Sequence, residues 1–156
     1  MDKTFRTPSE TETIMTQVVQ PNDTNPLHSL HGGTLMYWMD ECSAIAATKH
    51  SRAVVVTVSV DGVSFSKPIE IGSFVTIKAK VTRTFRTSME VFIEVWAENI
   101  PKNKPRMKCN EAYYTFVGLD EIGHPIPVME IKPETEEEKR LIRHRMTSLE
   151  LKFVYY

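Results

Sequence analysis

Cysteine is nearly absent: two in 156 residues cannot staple a fold. Cys42 and Cys109 also lack the close spacing of a metal knuckle or a redox pair, and they fit a reducing compartment. Long hydrophobic runs are missing too. No stretch reaches the roughly 18 apolar residues that a membrane helix needs, and the opening Met1-Asp-Lys-Thr-Phe-Arg-Thr-Pro-Ser-Glu10 is too polar for a secretory signal. A cytoplasmic protein without membrane insertion is expected. No charge of one sign dominates: 19 Lys and Arg stand against 20 Asp and Glu, a formal charge of -1. That balance argues against a protein that binds nucleic acid by counterion release. No internal repeat or low-complexity tract is found.

What is present is the composition of an ordinary globular protein, 41% hydrophobic and 25% charged, able to bury a core without metal or disulfide. Composition does not shift along the chain, so residues 1–156 are expected to form one domain, with a core over about 12–120. Glu12 to Gln20 alternates polar and apolar residues as a strand does, and Pro21-Asn-Asp-Thr-Asn-Pro26 breaks it. Beyond Gly32-Gly33, residues Leu35, Met39, Cys42 and Ala46 recur at helical spacing and predict one long helix over Thr34–His50. Four strand-like runs follow: Val54–Val60, Phe74–Thr82, Met89–Ala97 and Met107–Val117. Turn chemistry at Lys67-Pro68, Gly72-Ser73 and Asn99–Arg106 suits an antiparallel sheet. Thr135-Glu-Glu-Glu138 reads as a capping box opening a short C-terminal helix over about 133–148. A sheet wrapped on one helix leaves apolar surface that a second copy can cover, so oligomerisation is expected.

The most informative residue is Asp40, an acid inside the apolar run Leu35–Ala47. It shares a helical face with Gly33, Met36, Ala44 and Ala47, a surface of mostly small side chains that a ligand can approach. A carboxylate on a partly dry surface is a better base or nucleophile than an exposed one. Equally, it can face a water-filled groove or pair with a neighbouring Lys or Arg. Glu41 points about 100° away and reads as structural. The loop that delivers Asn25 ends in His31-Gly-Gly33 at the helix start, where free N–H groups can hold an oxygen that gains negative charge; a tight entry to the helix also accounts for the glycines. His28, His31 and His50 invite a metal reading, but no ligand spacing completes it, so none is expected. Ser43, Ser59 and Ser64 lack a nucleophile elbow. The polar turn Thr84–Glu90 can grip pantetheine or phosphate, and Lys67, Lys78, Lys80, Arg83 and Arg86 are candidate phosphate partners, or simply a solvated face.

Pro21-Asn-Asp-Thr-Asn25, Leu30-His-Gly-Gly-Thr34, Trp38-Met-Asp-Glu41, Ala44-Ile-Ala-Ala47 and Lys49-His50 occur in this order. Ser59-Val-Asp-Gly-Val-Ser-Phe65 with Pro68-Ile69 and Gly72, Arg86-Thr-Ser-Met-Glu90 and Pro133-Glu-Thr-Glu-Glu-Glu-Lys139 follow. Together they cover about Ile14 to Arg145 and resemble the acyl-CoA thioesterase branch of the hotdog superfamily. The resemblance implies an α+β hotdog fold, a long helix wrapped by an antiparallel sheet, at least dimeric and often a trimer of dimers. It implies acyl-CoA as substrate, with coenzyme A part of that substrate and no separate cofactor. Asn25 of one subunit and Asp40 of the other would form the catalytic pair, with the Gly33 N–H a donor to the thioester oxygen and Asp40 activating water or attacking directly. Val63, Ser64, Phe65 and Lys67, with Arg86, Thr87 and Ser88, would line the coenzyme A channel. Pro26-Leu-His28 departs from the commoner pattern, in which this stretch carries a glycine, and that bears on the acyl pocket; Met36 and Tyr37 are candidates for its walls. A hydratase or dehydratase using His31 with Asp40, or a non-catalytic acyl-CoA sensor, are the competing readings.

Overall fold

A computed structural model describes the backbone of residues 3–154 and the side chains as far as Met146. In chain order the elements are β1 (Phe5–Arg6), α1 (Pro8–Thr11), β2 (Thr13–Val18), α2 (Gly32–Ser51), β3 (Val54–Asp61), β4 (Phe74–Thr84), β5 (Ser88–Asn99), β6 (Lys104–Leu119), β7 (Glu130–Ile131) and α3 (Glu136–Val154). Five strands form one antiparallel sheet in the order β2-β4-β5-β6-β3. It wraps one face of α2, the hotdog arrangement that the resemblance implied.

Alternation decides which side of the sheet meets the helix. Val75, Ile77, Ala79 and Val81 on β4, and Val91, Ile93, Val95 and Ala97 on β5, are buried. They meet the α2 stripe Leu35, Trp38, Met39, Cys42, Ala46 and Ala47, at the 3.6-residue spacing that puts side chains on one helical face. Cutting the fully buried Met39 to alanine removes on the order of 2–5 kcal/mol. Cys42 lies in this core, where burial pushes its thiol up to about 11 and leaves it inert.

Three boundaries differ from expectation. Helix α2 begins at Gly32, two residues early, because the His31 ring accepts the Gly33 N–H and supplies an N-cap. Strands β5 and β6 run on to Asn99 and from Lys104, leaving only Ile100–Asn103 as a tight turn, with Asn103 in the left-handed region. Helix α3 reaches Val154, beyond the expected end near 148; its start at Glu136 follows from the box, in which Thr135 Oγ1 accepts the Glu138 N–H at 3.1 Å. The two-residue strands β1 and β7 pair in parallel, and elements so short carry no periodicity from which to foresee them.

The sheet has two edges. Strand β3 is one, and it exposes Val54, Val56, Val58 and Val60. A long apolar edge with unpaired backbone groups is a template for strand addition. The register of β3 on β6 slips between Thr57 and Ser59, a bulge that re-aims side chains next to Asp40.

Candidate active site

Asp40 lies half-buried in the middle of α2, facing the inner side of β3. Thr57 Oγ1 donates to its Oδ1 at 2.5 Å. Thr57 pairs with the buried Phe116, so it points toward the helix, and the bulge directly after it turns Val60, rather than Ser59, onto that same side, opposite Tyr114. A hydroxyl donating to a carboxylate fixes its orientation and leaves the second oxygen for another partner. Burial, then the negative charge of Asp40, push the Tyr114 phenol up to about 12, so it remains a neutral donor; it reaches Met36 O at 3.4 Å.

Asn25 sits on the loop before α2 and its side chain organises that loop. Its Oδ1 accepts the N–H of Leu27 at 2.9 Å and of Ser29 at 3.3 Å, and its Nδ2 donates to Ser29 Oγ at 2.9 Å. The loop is pinned from outside: Leu30 N–H donates to Ile69 O, Ile71 N–H to His28 O, and His31 N–H to Asp23 O. Glu70, next to Ile69, is gripped by Lys102 of the β5–β6 turn at 2.8 Å and by Lys104 at the start of β6 at 2.7 Å, which pull its carboxyl down to about 2.

Within one protomer these residues do not converge. Asp40 is eight residues beyond Gly32, a rise of about 12 Å along the helix. The Gly33 N–H is also occupied, donating to His31 Nδ1 at 3.1 Å. The coenzyme A candidates fall into two groups at opposite ends of β3. Val63, Ser64, Phe65 and Lys67 follow its end: Ser64 exchanges hydrogen bonds with Asn110, and the exposed Phe65 ring packs over Gly32. Lys67 Nζ reaches Lys108 O at 3.2 Å. Arg86, Thr87 and Ser88 lie at its start, since Ser88 pairs with Val117 and Val117 with Val56. Eight extended residues separate the groups by roughly 25 Å. Of the other basic candidates, Lys78 and Lys80 border the crevice by α3 on the outer face, and Arg83 stands 3.8 Å from Glu90. No three His, Cys, Asp or Glu among the described residues are grouped to hold a metal.

A profile of the thioesterase superfamily matches residues 27–103. The uncharacterized acyl-CoA thioester hydrolase YkhA of Bacillus subtilis is 40% identical over 129 residues, 83% of this chain and 74% of that one. The chain belongs to the thioesterase superfamily. Within it, the chain spans only 35% of the cytosolic acyl coenzyme A thioester hydrolase of Rattus norvegicus, at 36% identity. A hexameric acyl-CoA thioesterase superposes with a TM-score of 0.88 at 36% identity, covering 98% of this chain and 97% of that one. The acyl-CoA hydrolase of Staphylococcus aureus, solved with butyryl coenzyme A and coenzyme A, gives 0.80 at 35% identity over 97% of this chain and 96% of that one. Three variants of that hydrolase were also solved, with an asparagine, an aspartate or a threonine changed to alanine. Those three are spaced along its chain as Asn25, Asp40 and Thr57 are spaced here.

Sequence reasoning passed over Thr57, one more β-branched residue in the run Val54–Val60. Its pairing across the sheet, its bond to Asp40 and the matching threonine of the similar hydrolase single it out. The capping role of His31 was equally hidden, because a histidine before two glycines does not disclose which ring nitrogen accepts.

Proposed function

We propose that this thioesterase, a single catalytic domain over 1–156, hydrolyses acyl-CoA to a free acid and coenzyme A at sites shared between two copies of the chain. The observation that carries the reading is the Asp40–Thr57 pair, a half-buried carboxylate oriented by a hydroxyl, set beside an unpartnered edge strand. Pairing of β3 with β3 about a two-fold axis runs the two strands antiparallel, which an isologous interface requires. The end of one β3 then lies beside the start of the other. That brings the partner subunit's Val63 to Lys67 next to Arg86 to Ser88, and brings the partner subunit's Asn25 and helix start toward Asp40. The separation seen in one protomer is what a shared site demands.

In the reaction, a water oxygen bonds to the thioester carbonyl carbon while its proton passes to Asp40. The carbon–sulfur bond then breaks, and the leaving thiolate takes up a proton. Asn25, with one Nδ2 hydrogen not committed to Ser29, orients water or thioester. The Gly33 N–H steadies the developing oxyanion once the His31 ring yields it. The hexamer reported for the similar thioesterase supports further assembly of such dimers into a trimer of dimers. No helix among the described residues is long and apolar enough to cross a membrane, and the chemistry needs no metal or added cofactor.

Thiol release from acetyl-, butyryl-, decanoyl- and palmitoyl-CoA, measured on wild type, Asp40→Ala and Asn25→Ala in folded oligomer, tests this. Turnover by wild type and its loss in both variants is the expected result. Wild type inert on every thioester removes the hydrolase reading and leaves a binding protein. Robust turnover by Asp40→Ala removes the proposed site.

A further inference from the structure

The loop that carries Asn25 has a second face. Leu27, His28 and Ser29, the residues just past Pro26, form one wall of a cleft of about 300 Å³. Ile69 and Pro68 continue that wall, and Ala97, Met107 and Cys109 from the inner faces of β5 and β6 make the opposite one. Apolar side chains supply most of its surface, with the buried Ser73 and Asn99 also lining it and Glu70, Glu98 and Lys104 at its border. Ser29 belongs both to the cleft and to the hydrogen bonds that hold the Asn25 amide. The apolar surface therefore begins next to the proposed reaction centre.

Three further observations bear on what fills it. Leu27 is 85% exposed and Met107 46%, large apolar side chains left facing solvent at the cleft. His28 adopts a φ of 60°, a left-handed conformation that glycine enters without strain and a larger residue seldom does. This chain thus places an imidazole at the cleft on a backbone conformation that favours glycine. The cleft is also braced, because Glu70 is clamped by Lys102 and Lys104 and its neighbours hydrogen-bond to His28 and Leu30.

We infer that this cleft receives the acyl chain of the thioester, and that Leu27, His28 and Met107 set the preferred chain length. The inference rests on the hydrolase reading. A cleft of about 300 Å³ is at the small end of the range of small-molecule sites, which matches a short to medium saturated chain rather than a long one. Each methylene buried against such walls raises kcat/KM on the order of fourfold until the cleft is full.

The test is the chain-length profile of kcat/KM from acetyl- to palmitoyl-CoA for wild type, Met107→Trp, which fills the cleft, and Leu27→Asp, which makes its mouth polar. Both positions are exposed enough to spare the fold, and circular dichroism with gel filtration checks this. The decanoyl-to-butyryl ratio is expected to fall on the order of tenfold in each variant, the loss of about two methylenes of gain. A profile parallel to wild type in both variants overturns the inference while leaving the hydrolase intact. Calorimetric binding of S-decyl-CoA, a thioether that is not hydrolysed, separates the two claims. Binding tighter than that of coenzyme A and weakened in both variants supports the cleft even if no thioester is turned over, and binding unchanged in both overturns it.

Discussion

A carboxylate becomes useful as a base when its orientation is fixed and one oxygen is left free, and Asp40 meets both conditions through Thr57. Asp40→Ala is expected to lower kcat by 10²-fold or more, the usual contribution of a positioned general base, as read by thiol release at saturating substrate. Thr57→Val keeps the shape and removes the donor. Its kcat should fall roughly 10- to 100-fold, since a hydrogen bond to a charged group is worth about 1.5–3 kcal/mol, with KM for acyl-CoA little changed. A KM rise with unchanged kcat would instead assign Thr57 to substrate binding. Asn25 differs because its side chain also closes the turn at Leu27 and Ser29. Asn25→Asp, which keeps the acceptor but loses the amide donor, separates its chemistry from its structural role.

At the scale of elements, β3 and α3 carry separate burdens. Strand β3 presents four exposed valines at the sheet edge. Val56→Lys combined with Val58→Lys is expected to shift the protein toward monomer in analytical ultracentrifugation, because lysine on an edge opposes strand addition. Thiol release should fall in step with the dimer fraction, as a shared site requires. An active monomer would refute the shared site. Helix α3 is tied down by Arg145, which is buried and makes bonds to Glu90 at 3.1–3.3 Å and to Asp61 at 2.7 Å, with its guanidinium 4.1 Å from the Tyr113 ring centroid. Arg145→Met leaves the buried Glu90 facing Arg83 at 3.8 Å, a longer and weaker contact. Removing one partner of a buried pair costs about 3–5 kcal/mol, so a Tm on the order of 10 °C lower in calorimetry is expected.

At the scale of the whole molecule, acid should loosen the fold in two stages. His50 is fully buried, its Nε2 2.6 Å from Met129 O and its Nδ1 without a partner among the described residues. Burial lowers its pKa below the ordinary imidazole value of 6.5. A base with a depressed folded pKa contributes fully above its unfolded value, and that contribution fades as pH falls below about 6.5. Glu10, held by Lys3 and Thr7, and Glu70, held by Lys102 and Lys104, both lie at about 2 against an unfolded 4.5. Their contribution is complete above 4.5 and is lost as pH falls toward 2. Thermal unfolding followed from pH 8 to pH 2 should show the midpoint falling in both windows, with a shallower second fall in Glu70→Gln.

The sequence by itself determined the helix and the five main strands, and it marked Asp40 as a candidate. Hydrophobic periodicity is a local property, and an acid in an apolar helix stands out without coordinates. Tertiary structure alone decided the rest. Strand order placed β3 at the edge, and a bulge aimed Thr57 at Asp40, though nothing in Val54–Val60 marks that threonine. The fold also set the two groups of candidate coenzyme A residues at opposite ends of one strand. The proposed meeting of Asn25 and Asp40 across a two-fold axis leaves no trace in the sequence, because such a contact exists only between chains.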